Sequence, residues 1–319
     1  MTKLLAWCGD RARWFLIGGL LIGGLVRPVA ETLLPFVGTA IALLLFLACL
    51  RTGPKAAAGT RRDLRRTMLA VATLQIAVPL GVLIIGAAAA IPHAILSPLV
   101  LLLAASSVTV VPHFLAIMGM NTSHALRLLL VGTLLVPATA WVVFSAAGKF
   151  GILAYGDPGA ILTAVLRLLA VVILAAGLAF ALRLSALKNL GPSATAWTEG
   201  WAAILLAVVV IGLMAPMGAA LTERPGELIS TIALAFAVNF TLQLSAWWSS
   251  RLFSQDRAER TAFAAVNGNR NFALFLTALP LSTMEPMLLF IACYQVPNYL
   301  TPFVFRRLYA PKPRGSVPS

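Results

Sequence analysis

Ten apolar segments, separated by short polar loops, run along almost the whole chain. A membrane-spanning helix needs roughly 20 predominantly apolar residues, and most of these segments approach or exceed that length. The pattern therefore predicts an all-α membrane protein with ten transmembrane helices. The predicted spans are 13–29, 33–50, 67–89, 94–118, 124–147, 160–184, 196–216, 227–248, 260–279 and 284–305.

Basic residues gather in the loops on one side of this arrangement. That side holds Lys3, Arg11, Arg13, six basic residues between 51 and 66, Arg127, Arg183, Lys188, Arg251, Arg257, Arg260 and four basic residues after 305. The other side holds only Arg27, Lys149 and Arg224. Cytoplasmic loops carry an excess of lysine and arginine. We therefore predict that both termini are cytoplasmic and that the protein is integral to the plasma (bacterial inner) membrane.

The composition supports a membrane protein and argues against other classes. Hydrophobic residues make up 60% of the chain and charged residues 11%, well away from soluble averages. The net charge of +14 is distributed over membrane-flanking loops, so the lipid bilayer is the predicted partner and no nucleic acid is. The cysteines Cys8, Cys49 and Cys293 have no metal-ligand spacing, and no cofactor or metal is predicted.

The centre of the ninth span departs furthest from the apolar pattern. It contains Asn267, Gly268, Asn269, Arg270 and Asn271. An arginine at the centre of a membrane helix costs roughly 3 kcal/mol on insertion scales. Non-helical backbone at that depth occurs only where it is buried in protein or lines a cavity. We therefore predict a broken transmembrane helix at a binding site. The alternative is a short soluble loop between two half-length apolar segments.

The fourth span contains a similar interruption. Ser106, Ser107 and Thr109 precede Pro112 and His113, and a proline breaks the interior of a helix. Spans four and nine hold corresponding positions in two halves of five spans each. Interrupted segments at corresponding positions indicate a transporter site. The alternative is two unrelated kinks.

An odd number of spans in each half gives the two halves opposite orientations, as in many secondary transporters. The sequence thus predicts one membrane transporter unit, 1–319, built from two inverted five-helix repeats. The repeats cover about 13–147 and 160–305, and residues 306–319 form a cytoplasmic tail.

Four stretches occur in a distinctive order: 74–80 (LQIAVPL) in span three, the interrupted span four, 132–137 (GTLLVP) in span five and 268–271 (GNRN) in span nine. Together they resemble the bile acid:sodium symporter (BASS) family over nearly the whole chain. The resemblance implies that helices 4 and 9 break and cross. It implies a core domain of spans three to five and eight to ten, facing a panel domain of spans one, two, six and seven. Family substrates are organic anions such as bile acids, pantoate and pyruvate-like acids, usually driven by sodium.

Most positions that bind sodium in the family are changed in this chain. By alignment, Val266 replaces a glutamate, Arg270 a glutamine, Val111 and Pro112 a serine–asparagine pair, and Ala125 and Leu129 hydroxyl residues. Gln75 survives as the candidate ion-coupling residue. A hard cation needs several oxygen ligands, so these changes argue against sodium coupling. We expect Arg270 either to take the place of sodium or to bind a carboxylate bidentately.

The candidate substrate-binding residues are the polar residues at the two interruptions, namely Ser106, Ser107, Thr109, His113, Asn267, Asn269, Arg270 and Asn271. The alternative for the serines and threonine is helix-to-helix packing, at roughly 0.6 kcal/mol per contact. His113 would serve proton coupling or lie satisfied near the membrane face. Arg167, the other intramembrane charge, would close over an anion or extend outward to the interface.

These residues predict a secondary active transporter of a small organic anion that works by alternating access. An ordinary sodium-coupled symporter is the first alternative. A metalloid exporter of the arsenite type and a membrane-embedded anion sensor are the others, although span four lacks the cysteine expected of such an exporter. No zinc-protease or serine-hydrolase motif is present, so no enzyme is predicted. Sodium and protons are the candidate coupling ions, and the sequence leaves the oligomeric state open.

Overall fold

The computed structural model describes residues 2–152, 158–188 and 190–309, and within these ranges the chain folds into sixteen α-helices and no strand. They are α1 (Thr2–Asp10), α2 (Ala12–Leu25), α3 (Arg27–Leu33), α4 (Val37–Ala58), α5 (Arg61–Ala72), α6 (Val78–Ala88), α7 (His93–Ala104), α8 (Val111–Ile117), α9 (Ser123–Lys149), α10 (Pro158–Leu184), α11 (Pro192–Leu213), α12 (Ala215–Glu223), α13 (Pro225–Ser249), α14 (Arg257–Gly268), α15 (Leu281–Val304) and α16 (Arg306–Tyr309). A π-helical turn, Thr73–Ala77, joins α5 to α6, and 3₁₀ turns cover Leu34–Phe36, Ser250–Leu252 and Phe272–Thr277.

Six continuous helical segments in the described part of the chain are long and apolar enough to cross a bilayer. They are Arg27–Pro54, Arg61–Ala88, Ser123–Lys149, Pro158–Leu184, Pro192–Glu223 and Pro225–Leu252. Large apolar side chains point outward from them; Leu174, for example, is 70% exposed. An outer surface of this kind suits hydrocarbon better than water. The fold is therefore compatible with a membrane-embedded protein, as predicted.

Each of the ten predicted spans falls mainly on helix, but several helices differ from a simple rod. The first span is divided between α2 and α3, because Pro28 lies at the start of a new helix after Val26. Residues 30–32, the predicted loop between spans one and two, belong to α3. The 3₁₀ turn Leu34–Phe36 then joins α3 to α4. The fourth and ninth spans are interrupted in the middle, as the polar residues there predicted.

The helices pack in two groups. In the first group, α4 packs against α10 and α11, and α11 also packs against α2. In the second, α13 packs against α14 and α15, and α14 packs against α9. The groups meet where α10 packs against α9 and where α4 contacts the 3₁₀ turn Phe272–Thr277. Gly38 permits this approach, because a Cβ atom there would lie 2.9 Å from the carbonyl oxygen of Leu276.

The helical chain continues past the predicted end of the last span at residue 305. Arg306–Tyr309 forms α16, and Tyr309 is fully buried. The hydroxyl of Tyr309 donates a 2.9 Å hydrogen bond to Oε1 of Gln243 in α13. The first four residues of the predicted tail therefore belong to the packed structure, while 310–319 lie outside the described residues.

Candidate functional site

The π-helical turn beside Gln75 leaves a backbone carbonyl without a helical partner. The amide of Val78 donates to the carbonyl of Thr73, five residues earlier, instead of to Leu74. In the same π pattern, the amide of residue 79 would donate to the carbonyl of Leu74, but Pro79 has no N–H group. The carbonyl of Leu74 is therefore available, in a buried place, to another donor. Single π turns inside α-helices frequently occur at functional sites.

The fourth span breaks at residues 105–110. Helix α7 ends at Ala104, and Ala105 is extended with φ −71° and ψ 155°. The chain turns helical again at Val111, with Pro112 in the first turn of α8, where a missing N–H group costs nothing. The break thus exposes backbone groups that an unbroken helix would have paired internally.

The ninth span breaks at residues 269–271, and the two breaks cross. Ser107 and Arg270 face each other as an isolated antiparallel β-bridge. The amide of Val108 donates to the carbonyl of Asn269 at 3.0 Å, and the amide of Asn271 donates to the carbonyl of Ser106 at 2.7 Å. The two interruptions therefore satisfy part of each other's backbone hydrogen bonding, as buried backbone groups require.

Arg270 is fully buried at this crossing. Its Nε donates to the carbonyl of Asn267 at 2.9 Å, and Nη1 donates to the carbonyl of Ala105 at 3.0 Å. Its Nη2 donates to the carbonyl of Leu74 at 3.1 Å and to Oδ1 of Asn267 at 2.7 Å. All four acceptors are neutral oxygens, and three are carbonyls at or beside a helix irregularity.

The oxygens around the guanidinium are of the type that also binds hard cations. Several protein oxygens surround a bound metal cation of the hard type, and here they surround a guanidinium instead. No ion pair links Arg270 to a carboxylate among residues 2–152, 158–188 and 190–309. The site thus holds one positive charge that no negative side chain compensates.

A narrow cavity of about 30 Å³ lies beside the crossing, between the two helix groups. Its polar lining is formed by Thr109, Thr133, Asn271, Gln295 and Tyr299, and its apolar lining includes Ile41, Leu44, Leu45, Leu206, Val209 and Leu213. These six aliphatic residues come from α4 and α11, whereas the polar residues come from the second group and its breaks, together with Val108, Val110, Ala273 and Leu274. This volume admits only a few water molecules, so the two groups are nearly closed on each other.

Two of the predicted substrate-binding residues, Thr109 and Asn271, line this cavity. Arg270 lies next to Asn271 in the chain but is not part of the lining. The side chain of His113 lies outside those that the structure describes, although its backbone is part of α8.

The remaining predicted residues are buried and engaged in hydrogen bonds within the protein. Ser106 accepts from Thr133 at 3.1 Å, and the Ser107 hydroxyl donates to the Val108 carbonyl at 3.3 Å. Besides accepting from Arg270, Asn267 donates to the carbonyl of Leu242 at 2.8 Å. These side chains stabilise the breaks and do not open onto the cavity.

Asn269 and Gln75 also have partners on several elements. Asn269 donates to Ala265 at 2.8 Å and accepts from Thr301 at 2.9 Å. Gln75 donates to the carbonyl of Gly132 at 3.2 Å and accepts from Thr139 at 2.9 Å. The predicted ion-coupling residue is thus satisfied by protein groups.

Three polar residues of the cavity were not among the predicted site residues: Thr133, Gln295 and Tyr299. Gln295 and Tyr299 are four residues apart in α15, a spacing that places side chains on one helix face. In the sequence, this polar residue within an apolar span and the tyrosine one helical turn later could have indicated the cavity lining. Thr133 lies in the GTLLVP stretch and was recognisable only as part of that pattern.

Comparison with known proteins adds no identification to this geometry. A scan against protein-family models gave no match for the chain, and a search of curated proteins gave no match either.

Proposed function

We propose that this protein is a secondary transporter of a small organic anion, with its substrate site at the cavity beside the crossed breaks. The cavity lies between the two groups of helices, and on this proposal these groups are the panel and the core. Its lining combines polar groups from the breaks with aliphatic side chains from α4 and α11. An alternating-access carrier needs such a site between two bodies.

The observation that carries the proposal is the uncompensated charge of Arg270. Arg270 directly precedes the cavity residue Asn271 in the chain, and its buried guanidinium has only neutral oxygens as partners. In a medium of low dielectric constant, a unit charge acts strongly over several ångströms. A bound anion would be attracted by this charge without touching the guanidinium. This proposal differs from the direct bidentate contact considered from the sequence.

We further propose that Arg270 takes the place of a coupling sodium ion. The oxygens of Leu74, Ala105 and Asn267 that would suit a hard cation already accept hydrogen bonds from the guanidinium. On this proposal the chain is a divergent relative of the BASS family that needs no sodium at the site. The pairing of Ser107 with Arg270 supports the related proposal of two inverted repeats that cross at their breaks.

Arg270 variants test the proposal through ligand-dependent thermal stability. The purified protein is melted with a panel of organic anions, in sodium chloride and in choline chloride. A ligand that binds the folded state raises the melting temperature. We expect one or more anions to stabilise the protein equally in both salts. Arg270→Lys keeps the charge and should keep part of the shift, whereas Arg270→Met should lose the shift and anion flux into vesicles.

Arg167→Met is the matched control, because Arg167 is exposed on α10 and its loss removes one intramembrane charge away from the crossing. This variant should bind and transport like the natural protein. Stabilisation that requires sodium would overturn the cation-replacement proposal and favour an ordinary sodium symporter. Undiminished flux through a folded Arg270→Met protein would overturn the role of Arg270 altogether.

A further inference from the structure

A second cavity, of about 400 Å³, lies between α5, α9 and α14 and shares no lining residue with the first. Its volume is in the range of sites that bind small molecules, roughly 300–1,000 Å³. One end is charged and the other is apolar. Asp63, Arg66, His124, Arg127 and Glu259 form the charged end, and Leu69, Ala70, Leu128, Phe253 and Phe263 line the rest with Thr67 and Thr73.

Two arginines at the charged end keep hydrogen-bonding capacity. Arg127 has a side chain only 14% exposed; its Nη1 is 3.3 Å from Oδ2 of Asp63, and its Nη2 is 3.2 Å from Nδ1 of His124. Its Nε is buried and has no hydrogen-bond partner among the described residues. Arg66 approaches Glu259 only to 3.8 Å, and that oxygen of Glu259 already accepts from Ser254 at 2.7 Å.

The chain segments that contribute this end are strongly basic, although within the lining Arg66 and Arg127 are matched by Asp63 and Glu259. Residues 61–66 and 251–260, together with Arg127, contain eight arginines and three acidic residues. The acidic residues do not balance the arginines, so the local field favours a negatively charged ligand. The same arginines belong to the side of the protein predicted to face the cytoplasm.

Large apolar side chains that line the cavity are exposed on the protein surface. Leu69 is 61% exposed and Phe253 is 54% exposed. The ring of Phe253 stands edge-on to that of Phe263, with 4.9 Å between centroids, and forms one wall. A ligand held here would have its charged part at the arginines and its apolar part along a path to the hydrocarbon.

We propose that this cavity binds one anionic phospholipid, with its headgroup phosphate at Arg66 and Arg127 and an acyl chain between Leu69 and Phe253. Basic pockets between membrane helices on the cytoplasmic side bind anionic headgroups in other proteins. A lipid here would join α5 to α14, the helices that directly precede the π turn and the ninth-span break. The proposal does not depend on transport, because it concerns a different cavity.

Lipid binding is tested on protein stripped of lipid in a non-ionic detergent. Phosphatidylglycerol is added, and phosphatidylcholine with the same acyl chains is added in parallel. Retained lipid is counted by native mass spectrometry, and the melting temperature is measured. We expect one phosphatidylglycerol to remain bound and to raise the melting temperature, and phosphatidylcholine to do neither. Arg66→Gln/Arg127→Gln should weaken binding roughly thirtyfold, as expected from two arginine–headgroup interactions.

The matched control is Arg61→Gln/Arg62→Gln, which removes the same charge from the basic stretch outside the cavity. It should retain the lipid. Leu69→Trp, at an exposed position that narrows the apolar path, should lower lipid retention without touching the Arg127–Asp63 pair. If both double variants lose the lipid equally, the lipid is attracted to the basic surface in general and the proposed site is wrong. Equal stabilisation by glycerol 3-phosphate would overturn it in favour of a small-anion site.

Discussion

Arg270 keeps a positive charge inside the protein because the backbone around it is irregular in three places. The π turn at Thr73–Ala77, the end of α7 and the end of α14 each leave a carbonyl without its helical donor. The guanidinium supplies planar N–H groups to all three, a geometry that a lysine ammonium does not reproduce. The residue is therefore as much a connector of three chain segments as a source of charge.

The buried hydrogen bond between Tyr309 and Gln243 lies away from the crossing. We expect its loss to lower the thermal stability of the protein. Tyr309→Phe keeps the ring that stacks on Phe305 at a centroid distance of 5.4 Å. It leaves Oε1 of Gln243 without the hydroxyl donor. A buried unsatisfied acceptor costs about 1–3 kcal/mol, so thermal unfolding in detergent should occur at a lower temperature.

Tyr299→Phe is the control for that substitution. The Tyr299 hydroxyl makes no hydrogen bond to another described residue, so its removal should change the melting temperature less. If the two variants melt at the same temperature, the bond between Tyr309 and Gln243 contributes nothing measurable to stability.

At the scale of helices, the crossing depends on close packing between α14 and α13. A Cβ atom at Gly268 would overlap the side chain of Gln243 and lie 3.0 Å from the carbonyl oxygen of Asn239. The carbonyl of Gly268 also accepts hydrogen bonds from Asn239 and Tyr294, both at 2.7 Å. The position therefore requires glycine for space, since its neighbours are held by other bonds.

Gly268→Ala should destabilise the protein by about 3 kcal/mol, the upper part of the range for overpacked cores. The measurement is thermal or denaturant unfolding of the purified protein. Gly177→Ala in α10 is the matched control, since a Cβ atom there meets nothing within 4 Å. Alanine is the better helix former, so that variant should unfold at the same or a higher temperature. If Gly268→Ala and Gly177→Ala lower the unfolding temperature equally, close packing at Gly268 is not the cause.

The sequence predicted the breaks but not the orientation of Arg270. Pro112 and the polar run 267–271 marked both interruptions, because such residues are costly in a continuous membrane helix. Whether the guanidinium faces a cavity or carbonyls depends on Leu74 and Ala105, which lie 196 and 165 residues away in the chain. Contacts at such separations leave no local pattern, so the sequence could not indicate which oxygens the guanidinium meets.

The lining of the cavity beside the crossing was likewise only partly predictable from the sequence. Thr109 and Asn271 lie at the breaks and could be chosen from the sequence. The aliphatic residues opposite them, such as Leu44 and Val209, resemble many other apolar positions in α4 and α11. Only the packing of the two helix groups distinguishes them. Helix positions were predictable from apolar length, whereas which faces meet was not.

At the scale of the whole molecule, two helix groups with a nearly closed cavity between them predict a change in access. A single cysteine at Asn271, in a background with Cys8, Cys49 and Cys293 replaced by alanine, reports on that change. An impermeant thiol reagent applied to oriented vesicles should reach it from one side with anion present and from the opposite side without it. Altered access is the expected behaviour of an alternating-access carrier.

A cysteine at the exposed position of Arg61 provides the control, because the reagent should reach it from one side only under every condition. Labelling of the Asn271 cysteine from a single side throughout, together with anion binding, would contradict a carrier and favour an anion sensor.

The crossing also has a consequence for biosynthesis. The carbonyl of Ala105 and the amide of Val108 emerge from the ribosome about 160 residues before the partners Arg270 and Asn269 that satisfy them. During that interval the first break holds polar backbone groups that hydrocarbon would penalise. The nascent first half must therefore wait beside water, an insertase or another temporary partner, and the native interior can close only after the ninth span has been delivered to the membrane.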